Sequence, residues 1–272
     1  MPGNCRSWTA VMVTIATTAV VALGGSPSSH AAPPDQVTVV MVHGAWADTS
    51  SWDGEIAALE TQGYRARAVA NPLQNLITDA RDVASFLQSI EGPIVLVGHS
   101  YGGAVISEAA ASSPNVKALV FVDAFTPDVG ESSSMLGGDT SVTHSLPEAE
   151  VFDSIPDPNG TSDSKLLLLK QATFVDHFAS DLPRAEAMHL WATQRATSTA
   201  ALKTPNTAAA WKTIPSWAFI STGDQIITPA EKEFMAQRAN ARVTRFEGGS
   251  HLSLISHPDA VAAVIELAAN AV

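Results

Sequence analysis

Residues 93–103 read PIVLVGHSYGG, an apolar run, a glycine-flanked serine and the opening of a helical pattern. Pro93–Val97 is the most hydrophobic of the predicted strands and reads as buried on both faces. Tyr101–Ala111 reads as a helix. Between them, Gly98-His99-Ser100-Tyr101-Gly102 satisfies G-x-S-x-G in a strand–turn–helix setting. A turn this sharp lifts Ser100 above the sheet edge, and the chain on either side packs so closely that Gly98 and Gly102 must lack side chains. The helix that starts just after Ser100 aims free backbone N–H groups and its positive dipole end at the same point. Ser100 is therefore the candidate nucleophile.

On both sides of this motif, short β-rich runs alternate with amphipathic ones. Strands are predicted over Gln36–Val42, Tyr64–Ala70, Val116–Val122, Pro215–Ser221 and Ala241–Phe246, and helices over Asp53–Gln62, Asn75–Ile90, Pro229–Asn240 and Pro258–Ala269. This alternation implies an α/β fold, a mostly parallel sheet with helices on both faces. It breaks between about 126 and 213, where Ser/Gly/Asp-rich loops mix with Pro147, Pro156, Pro158, Pro183 and Pro205. That segment reads as a cap inserted over the carboxyl edge of the sheet, the edge at which such folds bind ligands.

A serine hydroxyl needs a general base. His251, in Gly248-Gly249-Ser250-His251, follows the last predicted strand and emerges at the same edge as Ser100. His99 diverges from its neighbour on the tight turn and reads as packing beneath it, and His43 reads as shaping the loop after the first strand. His144, His177 and His189 fall in the insertion, and His257 stands at a helix start. The acid that orients the imidazole is read as Asp224, after strand Pro215–Ser221, giving the chain order Ser, Asp, His. Asp123 competes, because it also ends a strand. An oxyanion hole would use the N–H of Tyr101 and one from His43-Gly44-Ala45-Trp46, with Ala45 preferred and Trp46 second. Trp46, Phe125, Trp191 and Leu252 are the expected pocket residues. Trp52, Trp191, Trp211 and Trp217 read as packing residues, with a wall of the pocket as the alternative role for Trp191 and the apolar run Leu166–Leu169.

The ends and the composition narrow the function. Arg6, the apolar run Ala10–Leu23 and the small residues Ser29-His30-Ala31-Ala32 have the pattern of a secretory signal peptide cleaved near Ala31. The mature domain would then be 32–272, secreted and not held in a membrane. The sole cysteine, Cys5, lies in the segment expected to be removed. With 15 basic against 27 acidic residues and a net charge of −12, the surface would repel a phosphate backbone, so nucleic acid is not an expected partner. No H-E-x-x-H or C-x-x-C pattern points to a metal, and no G-x-G-x-x-G opens a helix after the first strand, so no metal and no cofactor are expected.

From Gln36 to the C-terminus the chain resembles the α/β-hydrolase family. Val42-His43-Gly44-Ala45, Trp52, Val97–Gly103, Phe125-Thr126-Pro127-Asp128 and Gly248–His251 are similar to the branch of small bacterial esterases, plant methylesterases and hydroxynitrile lyases. The resemblance implies the α/β-hydrolase fold with a helical cap, a Ser100–His251–Asp224 triad, an oxyanion hole at Ala45 and Tyr101, and no cofactor. One departure bears on the reaction. Hydroxynitrile lyases of this branch carry lysine directly after the catalytic histidine, where this chain has Leu252, which disfavours stabilisation of a leaving cyanide.

The function expected from these residues is a serine carboxylic ester hydrolase acting on small or medium esters through an acyl-enzyme. Two alternatives stay open: a receptor-like ligand binder on a hydrolase scaffold, and a hydrolase of lactone, amide or C–C bonds.

Overall fold

Five consecutive buried residues, Thr38–Val42 (TVVMV), form strand β1, apolar on both faces because both faces are covered. The computed structural model describes residues 36–161 and 163–272, with residues 1 and 3. The expected signal peptide, apart from those two positions, lies outside the described residues. Five further strands join β1: β2 (Arg65–Val69), β3 (Ile94–His99), β4 (Val116–Val122), and, beyond the insertion, Ser216–Ser221 and Arg242–Phe246. All five pairings are parallel, in the order β2, β1, β3, β4, Ser216–Ser221, Arg242–Phe246. From β1 the chain steps first to one side and then to the other. The strand order therefore reverses between β1 and β3, and a crevice opens at their carboxyl ends.

Helix α1 (Asp53–Thr61) packs beside the helix Pro258–Ala269, while α2 (Leu76–Gln88) packs beside α3 (Tyr101–Ala109). In α2, Leu76, Ala80, Val83 and Leu87 form the buried stripe at three- and four-residue spacing, and the Asn75 side chain caps the first turn by accepting from the Ile77 N–H at 3.0 Å. The helices Pro229–Arg238 and Pro258–Ala269 both open on proline, whose missing N–H costs nothing at the first helical position.

The insertion between β4 and Ser216 carries several short helices, as expected of a helical cap, and in addition a three-stranded antiparallel sheet. Its strands are β5 (Phe152–Pro156), β6 (Lys165–Leu169) and β7 (Thr197–Ser198). The two strands that close the main sheet are accordingly β8 (Ser216–Ser221) and β9 (Arg242–Phe246). The cap is tied down by buried bonds. Trp46 donates its indole N–H to the Leu167 carbonyl at 3.0 Å, and the Ser198 N–H reaches the Leu73 carbonyl at 2.9 Å. Among the described residues, no helix is long and apolar enough to cross a membrane.

Candidate active site

Ser100 sits between β3 and α3 at φ 52°, ψ −124°, a left-handed conformation that only tight surroundings impose on a residue with a side chain. The turn works because its flanks are bare. A Cβ on Gly98 would stand 2.6 Å from the Gly102 backbone, and one on Gly102 would overlap the Val42 carbonyl at the end of β1. The chain before and after the serine thus closes on itself and on the neighbouring strand, leaving Oγ at the crevice.

The loop after β9 brings His251 to this point. Its Nε2 lies 2.8 Å from Ser100 Oγ and its Nδ1 2.9 Å from Asp224 Oδ2. A carboxylate only accepts, so Nδ1 carries the proton, and the Nε2 lone pair faces the serine hydroxyl. His251 and Asp224 are both buried. Burial pushes the Asp224 carboxyl up, but the facing His251 and the Lys232 ammonium outweigh it and hold it well below the usual carboxylate range. The other oxygen, Oδ1, accepts the backbone N–H groups of Ile226 and Ile227 at 2.8 and 3.2 Å.

Asp123, the competing acid, is turned away from the imidazole. It accepts the Ser221 N–H and hydroxyl, both at 2.7 Å, and the Ser253 hydroxyl. Between Asp123 and Asp224 stands Lys232, from the helix Pro229–Arg238, its ammonium bonded to Asp123 Oδ1, to Asp224 Oδ2 at 2.8 Å and to the Ser221 carbonyl at 3.1 Å. Only 3% of Lys232 is exposed, too little for water to satisfy its charge. Sequence reasoning missed this residue. A lysine in the first turn of a charged helix reads as solvated, and no local pattern distinguishes it.

On the other side of the crevice, a Cβ on Gly44 would meet Ser100 Cβ at 2.6 Å, so the loop after β1 lies directly on the elbow. Of the two expected donors there, the Trp46 N–H is already bonded to Thr197 Oγ1 at 3.2 Å. Among the described residues no such partner takes the Ala45 N–H, which lines the crevice beside Tyr101, the first residue of α3.

Ser100, Ala45 and Tyr101 form the floor of a cavity of about 170 Å³ under the cap. Trp46 and Phe125 line it as expected, together with Phe152, Leu167, Leu202 and Ile226, and His144 and Glu148 add polar groups. Trp46 stacks on Phe152 with centroids 5.6 Å apart, making one aromatic wall across the body and the cap. Trp191 and Leu252, the other expected pocket residues, are elsewhere. The Trp191 indole N–H is bonded to the Leu169 carbonyl at 3.1 Å, which holds the ring off this cavity. Leu252 is fully packed and borders a separate hollow of about 30 Å³ beside Phe174 and Phe178.

The remaining histidines fall into supporting places. The His99 Nε2–H donates to the His251 carbonyl at 2.8 Å, fixing the loop that carries His251, and burial pushes its imidazole well below the ordinary value. His43 bonds the Gly44 carbonyl and the Asn71 N–H. His177 ties the cap to the body through the Gln225 side chain in the loop after β8, at 2.8 Å, and His144 bonds the Ser134 carbonyl within the cap at 2.9 Å. Trp52, Trp211 and Trp217 are buried packing residues. No group of three or more His, Cys, Asp or Glu side chains among the described residues is arranged to hold a metal.

Comparison with known proteins follows the same outline. Residues 39–264 match the model of the alpha/beta hydrolase family. A carbendazim hydrolyzing esterase from Nocardioides sp. (strain SG-4G) is 37% identical over 106 residues, 34% of this chain and 44% of that protein. A pyrethroid hydrolase from Sphingobium wenxiniae is 26% identical over 166 residues, 54% of this chain and 58% of that protein. The chain thus spans about half the length of these two relatives. The crystal structure of polyneuridine aldehyde esterase superposes with a TM-score of 0.71 over 85% of this chain and 98% of that one; at 17% identity the likeness is one of fold.

Proposed function

This chain belongs to the alpha/beta hydrolase family, and from that premise we propose that it is a secreted serine carboxylic ester hydrolase acting on small or medium esters. The observation that carries the reading is the hydrogen-bonded series that runs from Ser100, on the floor of a largely apolar cavity, through His251 to Asp224. In this reading Ser100 Oγ attacks the ester carbonyl carbon while His251 Nε2 takes its proton. The N–H groups of Ala45 and Tyr101 receive the oxyanion, where one such donor is typically worth ~10²–10³ in turnover. His251 then returns the proton to the leaving alcohol, and water frees the acyl group by the same route. Asp224 holds the imidazole in the tautomer that makes Nε2 the base.

The substrate follows from the space. An apolar cavity of about 150 Å³ holds one aromatic ring, so the 170 Å³ here suits a short acyl chain or a single ring. The names of the two relatives, a carbendazim hydrolyzing esterase and a pyrethroid hydrolase, support hydrolysis of small-molecule esters. Secretion rests on Arg6, the apolar run Ala10–Leu23 and the small residues before Ala31, with 32–272 as the mature domain and 126–213 as its cap.

A panel of p-nitrophenyl esters from acetate to palmitate, run on the mature chain beside Ser100→Ala, tests the proposal. Turnover should peak at short acyl chains and be lost in the variant. Hydrolysis that survives Ser100→Ala rejects it.

A further inference from the structure

Lys232 stands where a cation is least expected. It lies in the first turn of the helix Pro229–Arg238, at the positive end of the helix dipole, and is buried. Neither the dipole nor solvent favours an ammonium there, so its place is explained by what it touches: Asp123 at the end of β4, and Asp224 and the Ser221 carbonyl at the end of β8. Two carboxylate oxygens that bond one ammonium lie within about 6 Å of each other, the range over which one carboxylate perturbs another. Left alone, two such groups do not both stay ionised in a buried site; the pair keeps a proton.

We propose that Lys232 is a positioning residue, whose buried ammonium offsets Asp123 and so keeps Asp224 free to hold His251 as an ionised carboxylate. The proposal rests on the Ser100–His251–Asp224 reading above. Charge bookkeeping gives the reason. The two carboxylates and one ammonium carry one net negative charge, the charge that the imidazolium formed during turnover must meet. Among the described residues, the other titratable groups facing the pair are His251, from the loop after β9, and His99 behind it, with ring centroids 4.8 Å apart. His99 is kept neutral by burial and adds no compensating charge. Ser221 and Ser253 donate to Asp123 from the remaining sides, and Lys232 is the cation that faces it.

The test compares Lys232→Met, Lys232→Arg and the double variant Asp123→Asn/Lys232→Met with the unmodified mature chain, following kcat and KM for a p-nitrophenyl ester from pH 5 to 9. Lys232→Met should lower kcat about 10- to 100-fold at neutral pH with KM within about threefold, and move the acid limb of the kcat profile upward by about one unit or more. The double variant removes the competing carboxylate and should recover kcat to within about tenfold of the unmodified chain. Lys232→Arg keeps the charge and should keep the unshifted profile. An unshifted profile in Lys232→Met, or a double variant as impaired as the single one, overturns the proposal. Should Lys232→Met fail to fold, the double variant decides: it should fold and turn over, and its failure to do either overturns the proposal.

A second readout separates this proposal from the hydrolase reading. In the Ser100→Ala background, the low-field proton NMR signal of His251 Nδ1–H reports its bond to Asp224 without any turnover. That signal should weaken or shift in Lys232→Met and return in the double variant; an unchanged signal overturns the role of Lys232. Absence of ester turnover in the unmodified chain counts against the hydrolase reading alone.

Discussion

Ser100 holds a backbone conformation that costs on the order of 1–3 kcal/mol, and the cost is borne because Val42, Gly98 and Gly102 leave the turn no other path. His43, one loop away, is a second residue with a price in stability. Its Nδ1–H donates to the Gly44 carbonyl at 2.9 Å and its Nε2 accepts from the Asn71 N–H at 3.0 Å, a pairing that only the neutral ring can make. Burial pushes this imidazole down to about 4. An unfolded histidine titrates near 6.5, so between those two values the unfolded chain binds a proton that the folded chain refuses. Stability contributed by this group is therefore complete above about pH 6.5 and is lost as the pH falls toward 4. From pH 7 to 5 the loss is about 2 kcal/mol. Urea unfolding at the two pH values should show His43→Gln losing about 2 kcal/mol less than the unmodified chain; equal losses would contradict the assignment. At this scale the sequence was most informative where chemistry dictates residue type. A serine between glycines, a histidine and an aspartate after strands have few other reasons to recur at one edge. Lys232 had no such marker, because its partners come from two strand ends distant in sequence.

Helices α2 and α3 meet through one buried polar group. The Tyr101 hydroxyl donates to Asp79 Oδ2 at 2.8 Å, and the same carboxylate accepts the N–H groups of Gln74 and Asn75 at the start of α2. Asp79 thus caps its own helix while fastening it to the helix that carries the elbow. Burial raises the Asp79 carboxyl, and the Tyr101 hydroxyl and the two backbone donors only partly offset this. Tyr101→Phe leaves that oxygen one donor short and should cost about 1–3 kcal/mol. Asn75→Ala, which removes the cap and a part-buried bond from Asn75 Nδ2 to Thr204 Oγ1 but leaves no buried charge short of a donor, should cost about 1 kcal/mol. Thermal or urea unfolding of both variants checks the ranking, and a Tyr101→Phe loss no larger than that of Asn75→Ala would contradict it. The main elements were legible to within a few residues, since a strand buried on both faces or a helix with an apolar stripe is written in its own periodicity. The cap sheet was not. Phe152–Pro156 is short, largely exposed and ends on a proline, and Thr197–Ser198 is two residues long. Such edge strands are defined by their partners more than by their own sequence.

Across the whole molecule, the parallel sheet sets the edge, the reversal of strand order between β1 and β3 opens the crevice, and the cap closes it into a cavity of about 170 Å³. The fold and the family are those that the elbow and its neighbours led one to expect. Which residues face the cavity was beyond sequence reading, as Trp191 of the cap and Leu252 of the loop after β9 illustrate, because orientation there depends on how the short cap pieces pack around Trp46. The central claim is that one serine, activated by one histidine, performs the chemistry in that cavity. The most direct measurement is to treat the mature chain with a fluorophosphonate and locate the adduct by mass spectrometry while following ester hydrolysis. A single adduct on Ser100, accumulating in step with the loss of hydrolysis and absent from Ser100→Ala, is the predicted result. Hydrolysis that persists in the fully labelled protein, or an adduct on another residue, would contradict the account.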